Sequence, residues 1–466
     1  MRGIIGAGGY LPHWRLQRSA VSAVLGGAPG KGTRTVASYD EDALTMAVEA
    51  ARRTLRGSTS TPAALWFATT SPTYLEKTSA PIAHAALRLP GDVAAADAGP
   101  GLRGAAMALR SALRSTETVL VAAGDVRTGP AGSPDERDGG DAGAAVLVGE
   151  ADSLLGEYLG SGSATREFLD RWRAPGELRT HGWEERFGEQ RYAALASAAW
   201  IAALADAGLE AGQVNKVAVV GPQARAGAGL SKQLGAEGVE VVDTLASTVG
   251  FSGAAHGLLL LTHLLESAEA GQVVALVSMA DGADAFIFRA TGSGAATPTV
   301  ADQLEGGDDS LAYAKYLSWR GVLPMNPPNR PEPARMSASA AERRLDWKYG
   351  FVGSKDHESG ALHLPPARVS FVGGNVDDME AAPMADVTAT VATFTVDSLA
   401  YSPSPPVVFA VCDFDGGGRL PVELTDVRAD QVSIGMQVEM TFRRLNTADG
   451  IANYFWKARP AAQGGA

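Results

Sequence analysis

At 466 residues, 45% hydrophobic and 20% charged, the chain is long enough for two or three domains with sizeable cores and too apolar to be disordered. A net charge of −12 argues against nucleic acid or an anionic membrane as the main partner, and the apolar run at 258–261 is far too short to span a bilayer. The one cysteine, Cys412, excludes an internal disulfide and a cysteine-ligated zinc and fits a reducing compartment, and no charged-then-apolar leader opens the chain, so a cytoplasmic protein is expected.

A first strand is predicted at 3–9. Residues 41–55 read as an amphipathic helix with Ala43, Met46, Ala47, Ala50 and Ala51 on one face. A strand at 64–69 and a helix at 80–87 follow. The strand at 93–96 ends where the chain turns at Asp97. Beyond it, a helix at 101–113 carries Ala105, Ala106, Ala108 and Ala112, small enough to let other backbones approach closely. Strands at 118–123 and 143–148 complete the block. The same order returns as a helix at 192–207, a strand at 216–220, a short helix at 230–234 and a strand at 239–242. A small-residue helix at 253–268 and strands at 273–278 and 285–288 close it. Glu117-Thr-Val-Leu-Val and Gln272-Val-Val-Ala-Leu-Val occupy equivalent places. Two successive α-β-α-β-α-β-β blocks indicate an internal duplication, and at this length a five-layer α-β-α-β-α sandwich.

After residue 288 the character changes. Residues 291–309 read as a Gly/Ala/Asp-rich linker, 324–333 as an extended proline-dense stretch, and 347–375 as a short loop-rich module. Strand-like runs at 389–396, 407–414, 420–424, 438–442 and 453–457, with Asp415-Gly-Gly-Gly418 as a hairpin turn, fit a five-stranded OB-type barrel. Such barrels can bind single strands, but this one is acidic, with Arg443-Arg444 its only basic cluster, so no nucleic acid is expected.

Ala68-Thr-Thr-Ser-Pro-Thr73 resembles the Ala-Thr-Thr-Ser loop after the second strand of ketoacyl synthase III. Asp92-Val-Ala-Ala-Ala-Asp97-Ala-Gly99 resembles its Asp-x-x-Ala-Ala-Cys-x-Gly nucleophile segment. Gly221-Pro-Gln-Ala-Arg225 falls at a His-Gln-Ala-Asn region, and Gly250-Phe-Ser-Gly-Ala-Ala255 at a Gly-Asn-x-x-Ala-Ala one. On these motifs, in this order, residues 1–290 resemble the thiolase superfamily, in particular hydroxymethylglutaryl-CoA synthase and ketoacyl synthase III. The resemblance puts Asp97 where the nucleophilic cysteine belongs, Gln223 (or Pro222) at the histidine and Phe251 at the asparagine. It marks Ser71, Tyr74 and Arg225 as substrate-binding positions. Phe351-Val-Gly-Ser354, His363-Leu-Pro-Pro366 and Asn453-Tyr-Phe-Trp456 resemble the acyl-CoA-associated OB domain that follows a zinc ribbon in relatives. Those ribbons carry two Cys-x-x-Cys pairs; the matching positions here are Asp356 and Ser359, then Ser370 and Gly373. With His357 and His363 as the only imidazoles nearby in sequence, no zinc and no other cofactor is expected, and the ribbon would be held by packing. The implied domains are a thiolase-like N-terminal half (1–165) and C-terminal half (166–295), a linker with a helix and the Pro-rich segment (296–345), a degenerate ribbon (346–376) and an OB-fold domain (377–466).

Claisen-type condensation in this family needs a thiolate to accept the acyl group, and His and Asn donors to stabilise the developing enolate. Asp97 cannot form the thioester, and Phe251 and Pro222 donate nothing. Two readings stay open. The chain is a non-acylated or scaffolding half that handles an acyl-CoA or acyl-carrier protein beside a thiolase-like partner or in a homodimer. Alternatively, it is a cysteine-independent aldolase or synthase on a CoA thioester with Asp97 as base and Tyr74, Glu76 or Lys77 as helper. The plain role for Asp97 is the N-cap of the helix it precedes, worth about 1 kcal/mol. His84 and His256 read as core histidines, His181 as surface and Cys412 as an inert buried thiol. Trp172, Trp183 and Trp200 read as packing, although 167–186 could line an acyl or pantetheine tunnel.

Overall fold

The computed structural model describes residues 1–28, 30–56, 58–222, 227–292 and 296–461. Small residues decide how its α/β unit is built. β1 (Arg2–Tyr10) carries glycines so that α1 (Ala43–Leu55) can lie directly on it: a Cβ on Gly8 would stand 2.6 Å from the Ala50 carbonyl oxygen. Asp42 opens α1 with a reciprocal cap, accepting from the Thr45 N–H at 2.9 Å while the Thr45 hydroxyl accepts from its own N–H. The helix is not the amphipathic one expected. Nearly every side chain on it is buried, Glu49 and Arg53 included. Arg53 donates to the Gly9 carbonyl at 2.6 Å, and Glu49 accepts from Arg52 at 2.8 Å.

The first repeat continues through β2 (Ala64–Ala68), α2 (Ala80–Ala86), β3 (Ala94–Asp97), α3 (Gly104–Arg114), β4 (Val119–Asp125) and β5 (Ala142–Glu150). The second contains β6 (Gly156–Ala164), α4 (Glu185–Ala207), β7 (Lys216–Val220), α5 (Ala228–Ala236), β8 (Glu240–Val241), α6 (His256–Ser267), β9 (Val273–Met279) and β10 (Ala283–Ala290). Strand order is β3-β2-β4-β5-β1 in one half and β8-β7-β9-β10-β6 in the other, the same path traced twice. Within the sheet the halves meet where β1 and β6 pair antiparallel, Gly3 with Glu157 and Ile4 with Gly156. Alternation sorts the second half cleanly. Val217, Val219, Ala275, Val277, Ala285 and Ile287 pack under Ala196, Ala199, Trp200 and Ala203 of α4. Ala218, Val220, Val274, Leu276, Phe286 and Phe288 face the cluster that holds α3 and α6. α3 and α6 touch each other and α6 touches strands of both halves, so they form the middle layer, while α1 and α4 cover the outer faces.

Three expectations are corrected here. β6 is a strand the patterning did not predict; the glycines of Gly156-Glu-Tyr-Leu-Gly-Ser-Gly hid it, and a Cβ at Gly162 would collide with the Ala199 carbonyl of α4. α3 starts at Gly104 rather than 101. Residues 291–309 are not a bare linker: α7 (Val300–Glu305) buries Val300 in the main core, and Gln303 exchanges hydrogen bonds with Leu11 N–H and Gly9 carbonyl. α8 (Tyr313–Trp319) follows.

A second unit comprises Ser38–Glu41, Ile82–Leu89 and Leu317–Ala466. It holds a three-stranded sheet, β11 (Val352–Asp356) flanked by β12 (Leu362–His363) and β13 (Met379–Pro383). It also holds a closed barrel of β14 (Ala389–Asp397), β15 (Val407–Phe414), β16 (Arg419–Leu424), β17 (Gln437–Ala448) and β18 (Ile451–Pro460). The five strands fall where the alternation places them. Val391, Ala410, Val438, Met440, Phe442, Tyr454 and Trp456 fill the barrel, with Cys412, whose thiol burial pushes up to about 11. Among the described residues no helix is long and apolar enough to cross a membrane.

Candidate active site

Asp97 ends β3, but its carboxylate is not the cap of the helix that follows. Oδ1 accepts from the Ala80 N–H at 2.8 Å, and both oxygens accept from the Ser79 N–H, at 3.1 and 2.9 Å. Asp97 therefore caps α2, the preceding helix, across the parallel strands, where a carboxylate satisfies N–H groups that have no intrahelical partner. The expected cap of α3 is corrected for a simple reason: α3 begins at Gly104, after a turn through Gly99 with φ +84°. Asp97 lines neither cavity described below.

Phe251, at the asparagine position, stands over an almost closed apolar space of about 20 Å³ with Leu102, Leu109, Leu258 and Met279. Its ring packs on His256 at 5.4 Å. His256 is buried with both nitrogens engaged: Nδ1 accepts from the Ser252 N–H at 3.2 Å and lies 3.0 Å from the Ser252 hydroxyl, and Nε2 donates to the Thr244 carbonyl at 3.0 Å. Burial pulls its pKa down to about 4. Gln223 and Arg225 lie outside the described residues. Pro222 lines the larger cavity.

That larger cavity, about 500 Å³, is where polar side chains of this unit gather. Its floor is the 69–71 loop, tied down by Asp125 at the end of β4. Asp125 is fully buried and accepts from the Ser71 hydroxyl at 2.6 Å, the Thr70 hydroxyl at 2.7 Å, the Thr70 N–H at 3.2 Å and the Ala254 N–H at 2.9 Å. Ser71 thus lies in the cavity wall, while Tyr74 does not line it, and Glu76 and Lys77 are exposed. Three guanidinium groups enter the wall. Arg127 donates to the Thr70 hydroxyl at 3.0 Å and Arg171 to Asp135 at 2.6 Å; Asp135 also lies 3.5 Å from Arg127 and accepts from the Thr180 N–H. Burial would raise Asp135, but Arg171, the Thr180 N–H and Arg127 outweigh it and hold the carboxyl below its usual range. Arg173 has the Thr70 carbonyl at 3.1 Å and, among the described residues, no carboxylate at ion-pair distance. Burial, and then the charge of Arg127, lower its pKa. Opposite stands Asp170, raised by burial, with the Tyr192 hydroxyl at 3.4 Å.

Asp125, Arg127, Asp170, Arg171 and Arg173 escaped the sequence reading. The only signal was Arg171-Trp172-Arg173, a basic–aromatic triplet inside the excursion at 167–186. Trp172 and Trp183 are exposed rather than packed, 37% and 61%; Trp172 stacks on His181 at 5.5 Å and lines the cavity. Only Trp200 is core.

Residues 382–443 match the family model described as the ChsH2 C-terminal OB-fold domain. The hydroxymethylglutaryl-CoA synthase of Pyrococcus furiosus is 30% identical over 200 residues, 41% of this chain and 57% of that one, so the match spans little more than half of the relative. Among solved structures, 3-oxoacyl-[acyl-carrier-protein] synthase III from Aquifex aeolicus VF5 aligns with a TM-score of 0.53 at 20% identity, over 62% of this chain and all of that one. The curacin-pathway HMG synthase in complex with holo donor-ACP aligns at 0.59 and 15% identity, over 68% and 88%. The α/β unit is thus a thiolase-superfamily fold of the hydroxymethylglutaryl-CoA synthase-like and ketoacyl synthase III-like kind, carried on one chain with a C-terminal OB-fold domain.

Proposed function

We propose that this chain binds an acyl-CoA or acyl-carrier thioester in the arginine-walled cavity but forms no acyl-enzyme, so that it acts as the non-acylating half of a C–C bond-forming complex with a thiolase-like partner subunit. The observation that carries this reading is Asp97. Its two oxygens are committed to N–H groups of α2, so the nucleophile position has been converted to structure. The relatives support the substrate class, being condensing enzymes named for CoA and carrier-protein substrates. Arg173 supplies a cation for the anionic part of such a ligand, and Leu75, Leu102, Pro72 and Trp172 supply apolar wall for the rest.

The test is direct. The full chain is incubated with radiolabelled acetyl- or malonyl-CoA and denatured. No label should remain; covalent label that survives denaturation defeats the proposal. Calorimetry with CoA should show binding, weakened about tenfold (~1.4 kcal/mol) by Arg173→Ala. Absence of binding would leave a scaffold without a thioester site.

A second reading, cysteine-independent aldol-type addition or cleavage, is favoured by one observation, but with a different base. Asp170 lies in the cavity wall with its pKa raised by burial, the direction that makes a carboxylate a better base, whereas Asp97 does not line the cavity. Turnover of an acyl-CoA aldol adduct by the isolated chain, abolished in Asp170→Asn and unchanged in Asp97→Asn, would establish it over the first.

A further inference from the structure

A zinc ribbon is two loops whose four thiolates converge on one cation. Of the four equivalent positions of this chain one is itself an anion, Asp356, and it is reached from both loops. Asp356 ends β11 and is buried. One of its oxygens accepts from Asn375 Nδ2 at 3.0 Å and from the Glu358 N–H at 3.1 Å; the other accepts from the Ser359 hydroxyl. The second loop closes through the Ser370 N–H to the Asn375 carbonyl at 2.8 Å. Gly373 adds no side chain and has φ +80°.

This donor set does not fit zinc. The carboxylate is already occupied by three donors, and the hydroxyls at the ligand positions are neutral. His363, on β12, is buried with Nε2 unpartnered, and its ring meets Phe371 edge-on at 4.6 Å. One imidazole makes no centre, and among the described residues no three of His, Cys, Asp and Glu come together.

We propose that the Asp356 carboxylate replaces the metal as the organising centre of the ribbon, drawing Ser359 of its own loop and Asn375 of the second onto one negative charge. Hydrogen bonds to an ionised acceptor are about twice as strong as neutral ones, so a single anion can hold two loops that would otherwise need a cation. Packing adds to this through the His363–Phe371 contact, while Phe371, Val369, Val372 and Val376 of these loops stay exposed.

Three measurements on the full chain test this. Metal analysis after growth in zinc should find well under one zinc per chain, with the same thermal midpoint with and without chelator; one zinc per chain, or a midpoint that chelator lowers, overturns the proposal. Asp356→Asn keeps the shape and removes the charge, and should speed amide exchange at least about tenfold across 352–383 while leaving the α/β unit unchanged; exchange like the parent's overturns it. Asp356→Cys with Ser359→Cys, Ser370→Cys and Gly373→Cys should take up one zinc per chain. A folded variant that takes none would show that the four positions do not converge.

Discussion

At the scale of single residues, the hydrogen bonds made by Asp97 and His256 make their energetics predictable. Asp97→Ala strips α2 of its cap and should cost about 1–2 kcal/mol in denaturant unfolding, while Asp97→Asn, which keeps an acceptor oxygen, should cost less. His256 gives a pH signature. Its folded-state pKa of about 4 lies below the ordinary 6.5, because burial disfavours the imidazolium. The neutral ring's contribution is therefore complete above pH 6.5 and lost as pH falls towards 4, about 3 kcal/mol across the window. Urea unfolding at pH 7.5, 6 and 5 should show this slope in the parent. His256→Asn should start less stable and lack that part of it, and an equal slope in both would contradict the assignment.

At the scale of elements, the duplication was legible because periodicity survives burial: β7, β9 and the barrel strands are runs of alternating or continuous apolar residues. What escaped detection was written in glycine or in separated residues. β6 looks like a loop until α4 is seen to need its missing side chains, and the cavity wall joins Thr70, Ser71 and Arg127 to a triplet at 171–173 that no local pattern links to them. The α6–α7 junction was equally hidden, since 291–309 reads as a linker. There Glu266, near the C-terminal end of α6, accepts from the Val300 N–H at 2.8 Å, and burial raises its pKa to about 7. A raised carboxyl contributes fully below its unfolded pKa near 4.5, and that contribution is lost as pH rises through 7. Glu266→Gln keeps the acceptor and never ionises. It should match the parent's stability at pH 4 and exceed it by about 2–3 kcal/mol at pH 8.5, read from thermal or urea unfolding; equal stability at both would remove the buried charge from the account.

At the scale of the whole molecule, the chain is not partitioned as its sequence suggests, because the barrel-containing unit includes residues 38–41 from near the start. Their charges are part of its interior. Arg443 of β17 is buried against Glu41, Asp426 (2.5 Å) and Asp40 (3.7 Å), and Lys457 of β18 against Asp40 (3.1 Å) and Glu423 (2.6 Å), with the Tyr39 ring 5.0 Å from its ammonium. Burial alone would raise Asp40, but Lys457 and Arg443 hold it at about 2, so it stays ionised at neutral pH. Buried ion networks add little over an apolar substitute, yet removing one member strands the others in a medium that solvates them poorly. Arg443→Met leaves three carboxylates around a missing cation and should destabilise the chain by about 3–5 kcal/mol. The sharper consequence concerns residues remote in sequence. Asp40→Asn with Glu41→Gln alters no residue of the barrel strands, yet it should speed amide exchange in 437–448 and 451–460, because it unbalances the charges those strands bury. A barrel that folds on its own C-terminal residues alone would show no change there, and that result would return residues 38–41 to the α/β unit.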